Sequence, residues 1–490
     1  MRPIETIVVL GAALVLLGWG MGWRARRALP RLLALVALIH IVVEGQRLSM
    51  WPAYAIVLVA AIGGTVRSAR TPSKGPRWRR VLRGVAAAIV FLMAIPLPFL
   101  WPVMRLPAPG GPFGVGQGWL VVTDSSRRER FAFGGGGVRR FPVKIWYPAA
   151  AGTTGPRAPY AEPRELGGLG LPPILFSHVR LIRTHAILGA PLAPGDRFPI
   201  LVFSHGYGGG FGQNTVQMEE LASRGYVVAS IAHSGEASWA PFPDGTGIGL
   251  DTSIVNWMRR QAADPDAMKK ALAAMARFDS ATTPAAGLAE LRRFVGEADE
   301  PLRTESVAEW TADTRAVLDL LATFDHGGAP SPFHGRFDLG RIGVFGMSYG
   351  GATAGDFCRQ DNRCKAALNM DGGQYGGMVN DSLRVPFLIM ASSQAYSVHV
   401  PVLELTRGPA YLIKVPETNH IGLTDLSLLA PTAFRWAGIT GKLDPLRRER
   451  IMTAYVLAFF DTYLKSQPSP LLDAPSPEFP EVTIVRRTPP

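Results

Sequence analysis

Two patterns of hydrophobic and polar positions divide the chain. Up to about residue 105, four apolar stretches (7–23, 32–43, 51–66 and 85–101) are separated by short polar links. A helix needs about 20 mostly apolar residues to span a bilayer, and about 17 at the least. The first and last stretches meet that length, the third is borderline, and the second is short and holds His40. The pattern predicts a transmembrane anchor of about four helices over 1–105. A Pro- and Gly-rich linker is expected over 106–118. From about residue 119, short β-rich runs alternate with helical ones, which predicts a mostly parallel sheet flanked by helices over 119–466. Runs such as 198–204 (FPILVFS), 341–345 (RIGVF) and 385–391 (VPFLIMA) read as buried strands, and 411–415 (YLIKV) as the last one. A helical insertion over about 250–300 is expected to cap the site, because ligands bind outside the carboxyl ends of such strands, where loops gather. A Pro-rich tail, 467–490, follows.

Charge follows the same division. Residues 1–105 hold fourteen Lys/Arg against two acids, Glu5 and Glu44, while the remainder holds 37 against 36. The net +13 therefore belongs to the apolar end, where it reads as topology and lipid contact. A nearly neutral remainder argues against a nucleic-acid partner. Basic residues crowd the first link (Arg24, Arg26, Arg27, Arg31) and the third (Arg67, Arg70, Lys74, Arg77, Arg79, Arg80, Arg83), whereas the second has Glu44 and Arg47. Positive residues stay on the cytoplasmic side, so everything after residue 101 is expected outside. The expected location is a plasma membrane, multi-pass, with the sheet domain extracytoplasmic. The two cysteines, Cys358 and Cys364, lack CxxC or zinc spacing. They read equally as packed thiols or as a short-loop disulfide suited to an oxidising compartment.

Candidate chemistry centres on Gly346-Met347-Ser348-Tyr349-Gly350, a G-x-S-x-G directly after a strand and before a helix. A nucleophile on so sharp a turn needs small neighbours two before and two after it, here Gly346 and Gly350. A serine hydroxyl needs a base, and in this fold the base follows the acid late in the chain. His420 stands just after the expected last strand, whereas His399 reads as structural. The common position for the acid, after 385–391, reads Ser-Ser-Gln, so Asp371 at the end of the preceding strand is the candidate; its plainer reading is an Asp-Gly turn former. Two backbone N–H groups are expected to stabilise the developing oxyanion, those of Tyr349 and of Tyr207 in the His205–Gly210 loop. No metal and no cofactor are required.

These residues resemble the platelet-activating factor acetylhydrolase family, the lipase-like α/β-hydrolases. The resemblance covers FPVKIWYPA, PLAPGDRFPILVFSHGYGG, LASRGYVVASIAH, RIGVFGMSYGGATA, CKAALNMDGG and ETNHIGLTDLSLL. It implies an α/β-hydrolase fold, hydrolysis of short or oxidised acyl esters, notably in glycerophospholipids, and an acid after the strand that follows the nucleophile helix. Met347 stands where the family usually has His, and Asn369 is the alternative alignment for the acid. Two other classes remain in view: a prolyl-oligopeptidase-like serine peptidase and a non-catalytic membrane-held sensor with a hydrolase fold.

Overall fold

The computed structural model describes residues 1–20, 28–66, 76–131, 136–170, 172–195, 197–297 and 301–488. The basic residues at 24–27 and 67–74, on which the expected topology rests, lie outside the described residues. The chain forms two compact units. One holds Met1–Arg105, Pro172–Ile182 and Leu429–Trp436, and the other holds Leu106–Leu171, Arg183–Leu428 and Ala437–Pro490.

The first unit is built from the helices Pro3–Gly20, Ala28–Val43, Trp51–Val66 and Arg77–Ala94, with a further turn at Leu97–Leu100. Its interior is lined by small apolar side chains such as Val8, Val9, Ala12, Ala37, Ala53 and Val57. Small residues let helix axes approach closely. Larger ones, among them Leu10, Leu14, Leu38 and Leu92, face outward and are more than half exposed. Arg77–Leu100 is long and apolar enough to cross a bilayer, whereas Pro3–Trp19, Ala28–Val43 and Leu48–Ile62 are shorter. One end of the unit carries a buried polar cluster. Arg47 Nε donates to Glu5 (2.7 Å), Arg47 also donates to the Pro98 carbonyl (3.0 Å), and Tyr54 Oη meets His40 Nδ1 at 2.7 Å. Charges buried singly cost several kcal/mol, so this mutual pairing is what makes their burial tolerable. The ring of Trp101 stands edge-on to Phe434, which ties the Leu429–Trp436 segment to the helices.

Among the described residues the second unit is built on a sheet of eleven strands with helices on its faces. In chain order the strands are β1 (Gly114–Arg128), β2 (Val138–Ala149), β3 (Arg157–Pro159), β4 (Arg183–Leu188), β5 (Phe198–Ser204), β6 (Val227–Ile231), β7 (Trp239–Pro241), β8 (Gly247–Gly249), β9 (Phe337–Met347), β10 (Cys364–Met370), β11 (Phe387–Ala391), β12 (Ala410–Lys414) and β13 (Thr483–Arg487). β7 and β8 pair separately, and the others lie in the order β13-β12-β11-β10-β9-β5-β6-β2-β1-β4-β3. The six strands from β6 to β12 in that order run parallel. β5 is buried along its whole length, as the unbroken apolar run Phe198–Ser204 requires of a strand covered on both faces. Ile200, Val202 and Val344 pack into the core on one face, and Leu201, Phe203 and Phe345 into the core on the other. The long helix Pro445–Lys465 covers the second face with Phe459 and Phe460. Each of these fully buried side chains contributes about 1.5–3 kcal/mol.

Six strands (β1, β3, β4, β7, β8 and β13) fall where the sequence pattern gave none, and two of them lie in segments read as irregular. β1 begins at Gly114, inside the stretch read as linker, and β13 lies inside the Pro-rich tail, antiparallel to β12. Both pair through backbone groups, which composition does not report. The insertion forms the helices Ser253–Ala263, Pro265–Ser280 and Pro284–Glu297.

Candidate active site

Three adjacent parallel strands bring the candidate residues together. Register pairs Ser204 of β5 and Asn369 of β10 with Gly346 of β9, so the three strands end at one level. The chain turns to opposite sides of the sheet from β5 and β9, which makes this edge the topological switch point where ligands bind in such sheets.

Ser348 follows β9 and precedes the helix Tyr349–Gln360. Its φ is +54°, a conformation that non-glycine residues seldom adopt and that active sites hold by surrounding bonds. Those bonds are Ser348 N–H to the Met370 carbonyl (2.7 Å) and Gly350 N–H to the His205 carbonyl (3.1 Å). The turn is tight enough that a Cβ on Gly346 would stand 2.3 Å from the Gly350 carbonyl carbon, and one on Gly350 would stand 1.9 Å from the Ser204 carbonyl oxygen.

Asp371 is the first residue past β10 and also has a positive φ, +57°. Its Oδ2 accepts from His420 Nδ1 at 2.8 Å, and its Oδ1 accepts from the Ser392 N–H at 2.7 Å. Burial pushes this carboxyl up, yet the two imidazoles of His399 and His420 outweigh it and hold Asp371 well below the usual carboxylate range. Asn369 is occupied differently. It bonds both the N–H and the carbonyl of Gly372 (2.7 and 2.9 Å), bracing the turn that carries Asp371. His420 opens the turn His420–Leu423 beyond β12, with its ring partly exposed. Nδ1 faces Asp371, which leaves Nε2 as the ring nitrogen turned away from the carboxylate. No hydrogen bond joins Ser348 Oγ to this ring in the structure; in unliganded sites such bonds are often long.

The loop beginning at His205 lies against Ser348. A Cβ on Gly206 would stand 3.2 Å from that of Ser348, and the Tyr207 ring is edge-on to Tyr349 with centroids 5.6 Å apart. Gly206 N–H donates to Gln213 Oε1 (2.7 Å), and Gly208 N–H to the Glu236 carbonyl (2.9 Å). His205 Nδ1 donates to the Gly206 carbonyl (2.6 Å), and its Nε2 accepts from the His233 N–H (3.2 Å). Burial, aided by nearby His233, lowers His205 to about 3, so the ring stays neutral and keeps both bonds. The Tyr207 N–H makes no hydrogen bond among the described residues.

Sequence reasoning missed a second Ser–His–Asp grouping. His233 Nδ1 meets Asp313 at 2.8 Å and its Nε2 meets Ser204 Oγ at 3.0 Å, with Trp310 stacked on the ring at 3.9 Å. All three members are completely buried, and Arg139 pairs with Asp313, so the group braces the end of β5 rather than facing substrate. Cys358 and Cys364 are joined in a disulfide. Among the described residues no group of His, Cys, Asp or Glu could hold a metal ion.

A mostly parallel sheet with a tight serine turn at the end of a central strand defines the α/β-hydrolase class. The family model for platelet-activating factor acetylhydrolase, isoform II, matches residues 104–246, a span that contains Tyr207 and ends before Ser348. The platelet-activating factor acetylhydrolase of Cavia porcellus is 21% identical over 58% of this chain, and the match spans 61% of that relative's length. The Gallus gallus protein of the same name is 21% identical over 74% of this chain and 84% of its own. The structure of a ferulic acid esterase from Streptomyces cinnamoneus superposes with a TM-score of 0.60 at 28% identity, covering 78% of this chain and 99% of that one. Together these matches support a platelet-activating factor acetylhydrolase-like α/β-hydrolase family for the chain.

Proposed function

We propose that the chain is a serine carboxylester hydrolase that works through Ser348, His420 and Asp371 and an acyl-enzyme. The observation that carries this reading is the 2.8 Å contact between His420 and Asp371, beside a serine held at positive φ. Ser348 Oγ attacks the ester carbonyl carbon and gives its proton to His420 Nε2. Asp371 holds the ring in the tautomer with Nδ1 protonated and stabilises the imidazolium. The carbonyl oxygen becomes an oxyanion facing the N–H groups of Tyr207 and Tyr349. Collapse expels the alcohol, which takes the proton from His420. Water then repeats the cycle, releasing the carboxylic acid and restoring Ser348.

The relatives are named for release of an acetyl group from platelet-activating factor and the structural neighbour for a ferulic acid ester, which supports carboxylic esters with a short acyl group among the substrates. The apolar helices of the first unit, with large side chains turned outward, support attachment to a bilayer, and the disulfide supports an extracytoplasmic catalytic unit. An acid after β10 rather than β11 speaks against the peptidase reading.

The test is hydrolysis of p-nitrophenyl esters of increasing chain length, with a phosphocholine ester alongside. The purified chain should turn over the short esters and react with a fluorophosphonate probe, and Ser348→Ala should do neither. Turnover that survives Ser348→Ala removes the assignment.

A further inference from the structure

The loop after β11, the common place for the acid in this fold, holds no carboxylate before Glu404. It nonetheless reaches the acid that stands after β10. Ser392, the first residue past β11, donates its N–H to Asp371 Oδ1 (2.7 Å). Seven residues on, His399 ends the short helix Tyr396–His399 with its Nε2 3.4 Å from the same oxygen. Its ring is almost fully buried, and neither ring nitrogen has a formed hydrogen bond among the described residues. A buried imidazole N–H left without a partner keeps its full desolvation penalty. The Asp371 carboxylate is the acceptor within reach.

We propose that His399 is a positioning residue that fixes the Asp371 carboxylate from the side opposite His420. This rests on the triad reading above. A carboxylate held at one oxygen can swing about its terminal bond, and its hydrogen-bonded partner swings with it. Here Oδ2 serves His420, while Oδ1 accepts a backbone N–H and has His399 Nε2 standing 3.4 Å away as its second donor. The plane of the carboxylate is thereby set, and with it the direction in which the His420 ring presents Nε2 to Ser348. Asp371 needs such bracing because its own backbone is strained. The strand that lacks the acid thus supplies two of its supports. A side chain that positions a catalytic group affects turnover more than ground-state binding.

The test uses His399→Phe, which keeps the bulk and removes the donor, and His399→Gln, whose amide nitrogen takes the place of Nε2. Both are assayed in the full chain on a p-nitrophenyl ester that the wild type turns over. His399→Phe should lower kcat about tenfold or more with KM within about twofold, and should slow fluorophosphonate labelling in parallel. His399→Gln should recover most of the loss. In an Asp371→Asn background, His399→Phe should add nothing. Wild-type kcat in His399→Phe, failure of Gln to rescue, or a full further loss on top of Asp371→Asn would each overturn the proposal. If His399→Phe does not fold, His399→Leu replaces it in both Asp371 backgrounds: a loss of kcat that His399→Gln restores and that disappears on Asp371→Asn supports the role, and an unchanged kcat overturns it. Loss of the parent reading shows separately, as turnover persisting in Ser348→Ala.

Discussion

Gly350→Ala is the sharpest perturbation of the serine turn. The added methyl would sit 1.9 Å from the Ser204 carbonyl oxygen, 2.4 Å from its carbon and 2.8 Å from the His205 carbonyl oxygen. Non-bonded atoms rest roughly 3.5 Å apart, so the overlap with the first oxygen is about 1.6 Å. Every one of these neighbours is backbone, and no rotamer change relieves the clash. Overpacking in a close-packed region costs typically about 1–3 kcal/mol, and a rigid neighbour puts this site at the upper end. A loss of about 3 kcal/mol lowers Tm by roughly 5–10 °C in a large domain. The displaced groups are the end of β5 and the start of the His205 loop, and the Gly350 N–H that bonds His205 moves with them. A misplacement of about 1 Å near the chemistry costs about a hundredfold in rate. Thermal unfolding and ester turnover of the purified chain measure both effects. Gly167→Ala is the control, because a Cβ there meets nothing within 4 Å. A Gly350→Ala protein with the Tm and kcat of the control would refute the close-approach argument.

Three further outcomes follow from the geometry. Asp371→Asn should keep the fold and lower kcat by about 10²–10⁴-fold, because an amide does not hold His420 in the same tautomer; turnover and KM on a short ester check it. Breaking the Cys358–Cys364 bond, by reduction or by Cys358→Ser, should cost about 2 kcal/mol in a urea melt, the closure entropy of so short a loop. Glu449 is raised from 4.5 to about 7 by burial, against a hydrogen bond from Gln217. A carboxyl raised on folding binds its proton more tightly in the folded state, so its stabilisation is present below about pH 4.5 and lost as pH rises through about 7. Denaturation midpoints from pH 4 to 9 should therefore decline less in Glu449→Gln than in the wild type, and an equal decline would count against this site.

What was legible in the sequence was local. The serine turn is five consecutive residues whose glycines have a steric reason, β5 and β11 are nearly unbroken apolar runs, and β9, β10 and β12 each hold an apolar stretch of three or more residues. The Asp371 region was harder, since Asn369 and Asp371 are two apart and a strand's period of two places them on one face. The positive φ at Asp371 separates them, and the following Gly372 is the faint sign of it. His399, the Ser204–His233–Asp313 group and the Gln213 bond to Gly206 join segments 7 to 109 residues apart. No window of sequence contains both partners of the longer links, so burial and chain path alone reveal them. β13 was obscured by a Pro-rich surrounding, and β1 by the glycines at its start.

The disulfide lies at the foot of a hairpin whose two tips carry Ser348 and Asp371, the proposed nucleophile and acid. From Ser348 the helix descends to Cys358, the bond crosses to Cys364, and β10 climbs back to Asp371. Ser348 and Asp371 are therefore the two points of a pair of tweezers riveted at the base. Neither arm can slide along the other, so the relative heights of hydroxyl and carboxylate above the sheet are set by a covalent link as well as by packing. Drift between them is confined to flexing at the tips, within reach of the loops that hold them.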